Sequence, residues 1–212
     1  MTTILLALIA VAAVILFERA FKRMFPHLLA RLFGPAIGRM VLASQPDRLH
    51  LDPVSADSWS DFETASDLGR PFVQQGFESA GTFRIEEMPG VIVQLLAHPA
   101  QRLYAAIYEH PQAGHWVDVV ARYEDGTGAT FTTAKPSGLD PLPGRIMVNA
   151  PGLTPRALLD RMMFERPAGA LLPATAATAA QVFQDAYAEE TAWRKGRGLT
   201  AAEVGRVTRQ AA

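Results

Sequence analysis

Between residues 80 and 149 the hydrophobic pattern has a period of two, and most of the segments that carry it are joined by turns too short to hold a helix. The candidate strands are Ala80–Glu87, Val91–Ala97, Arg102–Glu109, His115–Tyr123, Ala129–Ala134 and Arg145–Asn149. Pro89-Gly90, His98-Pro99, the five residues from His110 to Gly114 and the five from Glu124 to Gly128 separate them. A parallel neighbour needs a crossover of a dozen or more residues, so these strands are expected to pair as an antiparallel meander. Along His115–Tyr123, Val117, Val119 and Ala121 share one face, and Trp116, Asp118, Val120 and Arg122 share the other. Along Arg102–Glu109, Leu103, Ala105 and Ile107 oppose Arg102, Tyr104, Ala106 and Tyr108. One face is apolar and the other mixes rings with polar groups, which suits a sheet covered fully on one side only.

Helical spacing flanks the sheet. A short helix near Ser58–Leu68 is expected, with Ser58 as N-cap, Asp61 at N3, and Gly69-Arg70-Pro71 as its end. After the strands, Thr154-Pro155 reads as N-cap and N1 of a helix to about Glu165, with Leu158, Leu159, Met162 and Met163 facing the core. A second helix from Thr175 to Lys195 carries Val182, Phe183, Ala186 and Tyr187 at helical spacing. Thr200-Ala-Ala-Glu203 is a capping box opening a last short helix. The predicted class is α+β: about six antiparallel strands followed by C-terminal helices, behind an N-terminal transmembrane helix.

That anchor is read from Ile4–Phe17, an unbroken apolar run, with no charged side chain in residues 1–17. Fourteen residues make a helix of about 21 Å; including Met1–Thr3 and the stretch to Phe21 brings it to the roughly 30 Å of a hydrocarbon core. Arg19, Lys22 and Arg23 then snorkel to the headgroups, and Arg31 follows in a collar of short amphipathic pieces broken by Pro26, Gly34 and Pro35. A cleaved signal peptide is the rival, but no basic residue precedes the run and no small-x-small site follows it. The organisation is an anchor at 1–23, a collar at 24–45, a linker at 46–57, an α+β domain at 58–166 and C-terminal helices with a basic tail at 167–212. The positive-inside rule places everything after the span in the cytoplasm, at a bacterial inner membrane.

Net charge, −1 overall, conceals three blocks. Residues 1–48 hold six basic and two acidic side chains, residues 49–193 nine and eighteen, and residues 194–212 five and one. An acidic domain between two basic ends argues against a nucleic-acid binder. It fits instead a domain that meets the lipid bilayer through residues 1–23 and a protein partner, or a second copy of itself. The absence of cysteine removes thiolate metal sites and cysteine nucleophiles.

No residue set reads as catalytic. No Gly-x-Ser-x-Gly elbow occurs, and Ser137 is a turn serine. Asp125-Gly-Thr-Gly-Ala is followed by alternating residues, so it is a hairpin turn rather than a phosphate loop. His98, His110 and His115 fall within eighteen residues, but His98 and His110 bracket one strand and so lie about 26 Å apart. No metal or other cofactor is therefore expected. The ligand-binding candidates are Tyr104, Tyr108, Trp116, Asp118 and Arg122, an aromatic floor with one acid and one base. The alternative is that the C-terminal helices cover that face, with Asp118 and Arg122 paired at its margin. The leading functional expectation is a non-enzymatic, membrane-anchored interaction or assembly module facing the cytoplasm. Its alternatives are a tethered domain binding a small ligand or lipid in a pocket on the mixed face, and a hydrolase or metal enzyme.

Overall fold

Seven strands, one more than the alternation revealed, form a single sheet in sequence order: β1 (Leu51–Pro53), β2 (Glu78–Ile85), β3 (Ile92–His98), β4 (Leu103–His110), β5 (Gly114–Arg122), β6 (Gly128–Thr132) and β7 (Arg145–Asn149). The computed structural model describes residues 42–210. The anchor, most of the collar, and Arg19, Lys22, Arg23 and Arg31 lie outside those residues. Among the described residues no helix is long and apolar enough to cross a membrane. The described chain divides into a unit of residues 45–137 and 141–194, and a second of residues 42–44, 138–140 and 195–210.

The strands from β1 to β6 pair antiparallel, as the short turns require. The last pairing corrects the meander: β6 and β7 are parallel, with Gly128 opposite Arg145 and Thr132 opposite Asn149. The connection from Thr133 to Gly144 is long enough to return along the sheet, and it does so without a helix. Strand β1 lies in the stretch read as a linker; three residues are too few to show a period, and it is held by pairing Leu51 with Ile85. A bulge between Ser79 and Gly81 shifts the register of β2. Gly81 has φ +128°, a conformation side chains rarely adopt, and a Cβ there would meet the Phe83 ring at 2.9 Å.

Both sheet faces are covered, which corrects the one-sided expectation. Helix α1 (Phe62–Gln74) and α2 (Pro155–Glu165) pack on the apolar face. Phe72, Leu103, Ile107, Val117, Val119, Phe131, Leu158 and Met162 are almost wholly buried there, each large side chain contributing roughly 1.5–3 kcal/mol of transfer free energy. Helix α3 (Ala176–Arg197) lies over the opposite face, with Ala179, Val182, Phe183 and Tyr187 against Val93, Leu95, Tyr104 and Ala106.

Helix starts follow local chemistry. The cap of α1 is Asp61, not Ser58: its carboxylate accepts from Thr64 N at 3.0 Å and Thr64 Oγ1 at 2.7 Å. The helix then runs through Gly69-Arg70-Pro71 instead of ending there, because burial of Ala65, Gly69 and Phe72 on one face outweighs the bond Pro71 cannot make. Thr154 caps α2 through Ala157 N, with Pro155 at the first position, as anticipated. Met163, expected in the core, is 38% exposed.

In the second unit α4 (Ala201–Gln210) opens on the predicted capping box. Glu203 N donates to Thr200 Oγ1 at 3.2 Å, and the Glu203 carboxylate accepts from Thr200 N at 2.8 Å.

Candidate functional site

The apolar-face register of β4 and β5 leaves Tyr104, Ala106 and Tyr108 beside Trp116, Asp118, Val120 and Arg122 on the other face. Helix α3 spans this face without filling it. Between them lies a cavity of about 340 Å³, walled by side chains from every strand from β2 to β7 and by one face of α3. All five residues singled out from the sequence line it: Tyr104, Tyr108, Trp116, Asp118 and Arg122. Val182, Phe183, Ala186 and Tyr187, the apolar positions of α3, form its roof. Ile146 and Met147 of β7 also line it and are each 46% exposed, so the cavity reaches the surface at the β7 edge.

The aromatic end is ordered by packing. Tyr108 and Trp116 are cross-strand partners whose rings stack 4.5 Å apart, and Phe183 tilts against Tyr108 at 6.2 Å. Tyr104 is tied to the chain that leads into α3: its hydroxyl donates to Pro173 O at 3.3 Å and lies 3.0 Å from Thr178 Oγ1.

Asp118 sits midway along the floor. Burial pushes its carboxyl up to about 6, against the hydroxyls of Thr132 and Tyr108, which favour the charged form. Its Oδ1 is closed off from solvent and has no hydrogen-bond partner. Burial and the nearby Asp118 charge together push the Tyr108 hydroxyl well above its usual range. The suggested Asp118–Arg122 pair does not form: residues four apart on one strand face are about 13 Å from each other. Arg122 reaches instead to Glu189 of α3, at 3.6 Å.

Sequence reasoning missed the most unusual member of the site. Arg145, at the start of β7, lines the cavity beside Arg122 and donates through Nη2 to the same Glu189 at 2.6 Å. Its Nη1 is buried and, among the described residues, has no hydrogen-bond partner. The parallel register puts it opposite Gly128, where a Cβ would sit 2.7 Å from Nη1, so the missing side chain makes the seat for the guanidinium. The signal was present but misread, because Gly128 looked like one more turn glycine. Burial and the neighbouring Arg145 lower the pKa of Arg122, outweighing Glu189, Tyr104 and Asp185. Within the cavity wall this end carries two cations, Arg122 and Arg145, and one carboxylate, Glu190, which is paired with Arg194.

The histidines are engaged separately. His98 packs edge-on to Phe77 and accepts from Gln101 N; His110 Nδ1 accepts from Gln112 N and Ala113 N in its own turn. His115 Nε2 is 3.1 Å from Glu109, a buried carboxylate that also accepts from Ser60 N and Asp61 N at 2.9 Å. Among the described residues the one group of three with metal-ligand spacing is His50, Glu86 and Glu87, at the surface. There the His50 ring pairs with Glu87 and Glu86 N donates to His50 O, which ties the chain ahead of β1 to the β2–β3 turn. In the basic tail, Arg194 is paired with Glu190, Arg197 with Glu203, and Arg206 with Asp140.

No protein-family model matches this chain, and no curated protein or solved structure is significantly similar to it.

Proposed function

We propose that this protein is a membrane-tethered binding domain that holds one small amphiphile between its sheet and α3, at the cytoplasmic face of a bacterial inner membrane. The observation that carries this reading is the cavity itself. Five residues of the mixed face converge on about 340 Å³ of largely apolar space, within the range of small-molecule sites. Two polar atoms on its walls, Asp118 Oδ1 and Arg145 Nη1, are buried without partners. Apolar walls with a few unmet polar groups are what an amphiphilic molecule complements. The tether rests on the apolar run Ile4–Phe17 and the basic cluster that follows it. An interaction or assembly role rests on the anchor and the charge pattern alone, and the cavity favours ligand binding over it.

The test is to isolate the full-length chain, with Trp59→Phe and Trp193→Phe so that Trp116 is its one tryptophan, in lipid nanodiscs and measure uptake of decanol by the change in its fluorescence. Ala106→Phe, which fills the floor of the cavity, serves as the control. Saturable uptake by the wild type that Ala106→Phe abolishes supports the reading. Equal uptake by both proteins, or none by either of decanol or decanoate, overturns it.

A further inference from the structure

We infer that the ligand is an anionic single-chain amphiphile whose carboxylate is held by Arg145 and Arg122; this deepens the proposed cavity reading and rests on it. The two arginines enter the cavity from different strands, at the end of β5 and the start of β7, and converge because β6 lies between them in register. Arg122 is opposite Gly128, and Gly128 is opposite Arg145. With a side chain at the middle position this row would be blocked. With glycine there, the Arg145 guanidinium lies across the bare backbone.

The internal chemistry of this end is incomplete. Glu189 is the carboxylate that both guanidiniums reach, and it is 48% exposed, outside the cavity wall. It takes the Nη2 of Arg145 and leaves Nη1 buried without an acceptor. Among the described residues, Arg122 makes no closer charged contact than the 3.6 Å to Glu189. Of the other carboxylates on this part of α3, Glu190 lines the cavity and pairs with Arg194, and Asp185, half exposed, lies 3.7 Å from Arg48 and acts on Arg122 only through its charge. A buried guanidinium donor without an acceptor is costly, and a planar carboxylate is the group its fork fits with two parallel bonds. The remaining wall says what the carboxylate is attached to. From the arginines the cavity runs past Val120 and Ala106 to the rings of Tyr108, Trp116 and Phe183; the wall is mostly apolar, with Asp118, Thr130, His110 and Glu190 as its other polar members. An acyl chain lies along that path with its head at β7, on the side where Ile146 and Met147 open the cavity to the surface. The volume corresponds to roughly ten groups of about 30 Å³, the share of a liquid water, which suits one chain of medium length.

Decanoate and decanol differ only at the head, and titrating both into the same full-length chain in nanodiscs, with Trp59→Phe and Trp193→Phe so that Trp116 alone is read, separates the two claims. The wild type is expected to bind decanoate at least about tenfold more tightly than decanol, the scale of one hydrogen bond to a charged group. Arg145→Met is expected to bring decanoate down to the affinity of decanol while leaving decanol unchanged. Arg122→Met, with the Arg145 seat intact, provides the same comparison if the first variant does not fold. Equal binding of acid and alcohol by the wild type overturns the carboxylate site and leaves the cavity reading standing. Binding of neither overturns both.

Discussion

Arg145 and Gly128 are register partners across the parallel β6–β7 pair, and the buried Nη1 of the arginine occupies the space a Cβ on the glycine would need. The glycine is required for room, not for backbone freedom. Gly128→Ala brings a methyl group to 2.7 Å from Nη1 and 3.3 Å from Ala121 O. The guanidinium can swing aside while the backbone oxygen yields only slightly, so the cost is expected to be about 1 kcal/mol. Removing the arginine removes most of the clash. In an Arg145→Ala background, Gly128→Ala is therefore expected to be neutral or stabilising by a few tenths of a kcal/mol, since alanine restricts the unfolded chain. A double-mutant cycle by urea unfolding measures the difference, and a cost unchanged by Arg145→Ala would refute the seat.

Asp118 sets a pH dependence of the opposite sense to most carboxylates. Its folded pKa of about 6 stands above the ordinary value of 3.8, so the folded state holds the proton more tightly than the unfolded chain. The stabilising contribution is complete below the ordinary value and is lost as pH rises through about 6. Tyr108 from β4 and Thr132 from β6 face it, and neither carries a positive charge to offset the buried carboxylate. The full span is worth up to about 3 kcal/mol. Asp118→Asn keeps a neutral side chain of the same shape at every pH. Its stability relative to wild type is expected to rise across that window in urea titrations, and a flat difference would remove the shift.

The faces of β4 and β5 were legible because Leu103, Ala105 and Ile107 alternate with Tyr104 and Tyr108, and Val117, Val119 and Ala121 alternate with Trp116, Asp118 and Arg122. It also selected the five residues that line the cavity, since side chains on one face of adjacent strands must meet. What stayed hidden depends on long-range pairing. Strand β1 is too short to show a period, and the parallel return of β7 is set by the path of a proline-rich connection that no turn motif marks. Arg145, from which Glu189 is 44 residues distant, could not be joined to Arg122 without that register. The cavity roof was visible as Val182, Phe183, Ala186 and Tyr187, but the spacing of a helix does not say how closely it will approach a sheet bearing Tyr108 and Trp116. Pro71 was misread because local propensity favours a stop there, whereas burial of Phe72 carries the helix past it.

Glu109 anchors the start of α1 from the neighbouring strand. Its side chain is 7% exposed and accepts the N–H groups of Ser60 and Asp61, the residues just before the helix. Burial alone would raise its pKa, but these bonds and His115 outweigh it and hold the carboxyl below the usual range. Glu109→Ala strands two backbone donors and is expected to cost about 2–3 kcal/mol, whereas Glu109→Gln keeps one acceptor and costs less. Urea unfolding of the two variants checks the order. Equal losses would mean that packing around Glu109, rather than its oxygens, holds the helix start.

Glu203 makes the start of α4 acid-sensitive. It is fully buried and accepts from Arg197 Nη2 at 2.6 Å, Thr200 N at 2.8 Å and Asp140 N at 2.9 Å. Burial raises the pKa of such a group, but the Arg197 guanidinium and the backbone donors overcome it and bring the carboxyl down to about 2. Because the folded pKa is depressed, the contribution is present above the ordinary carboxylate value of 4.5 and is lost as pH falls towards about 2. Its full size is about 3 kcal/mol. Glu203→Gln cannot titrate, so the gap between wild type and variant is expected to be widest near neutral pH and to close in acid. Amide exchange across residues 201–210, corrected for the intrinsic rate at each pH, reads this locally. A gap that persists unchanged at about pH 2 would show that the shape of the glutamine, rather than the lost charge, disrupts the start of α4.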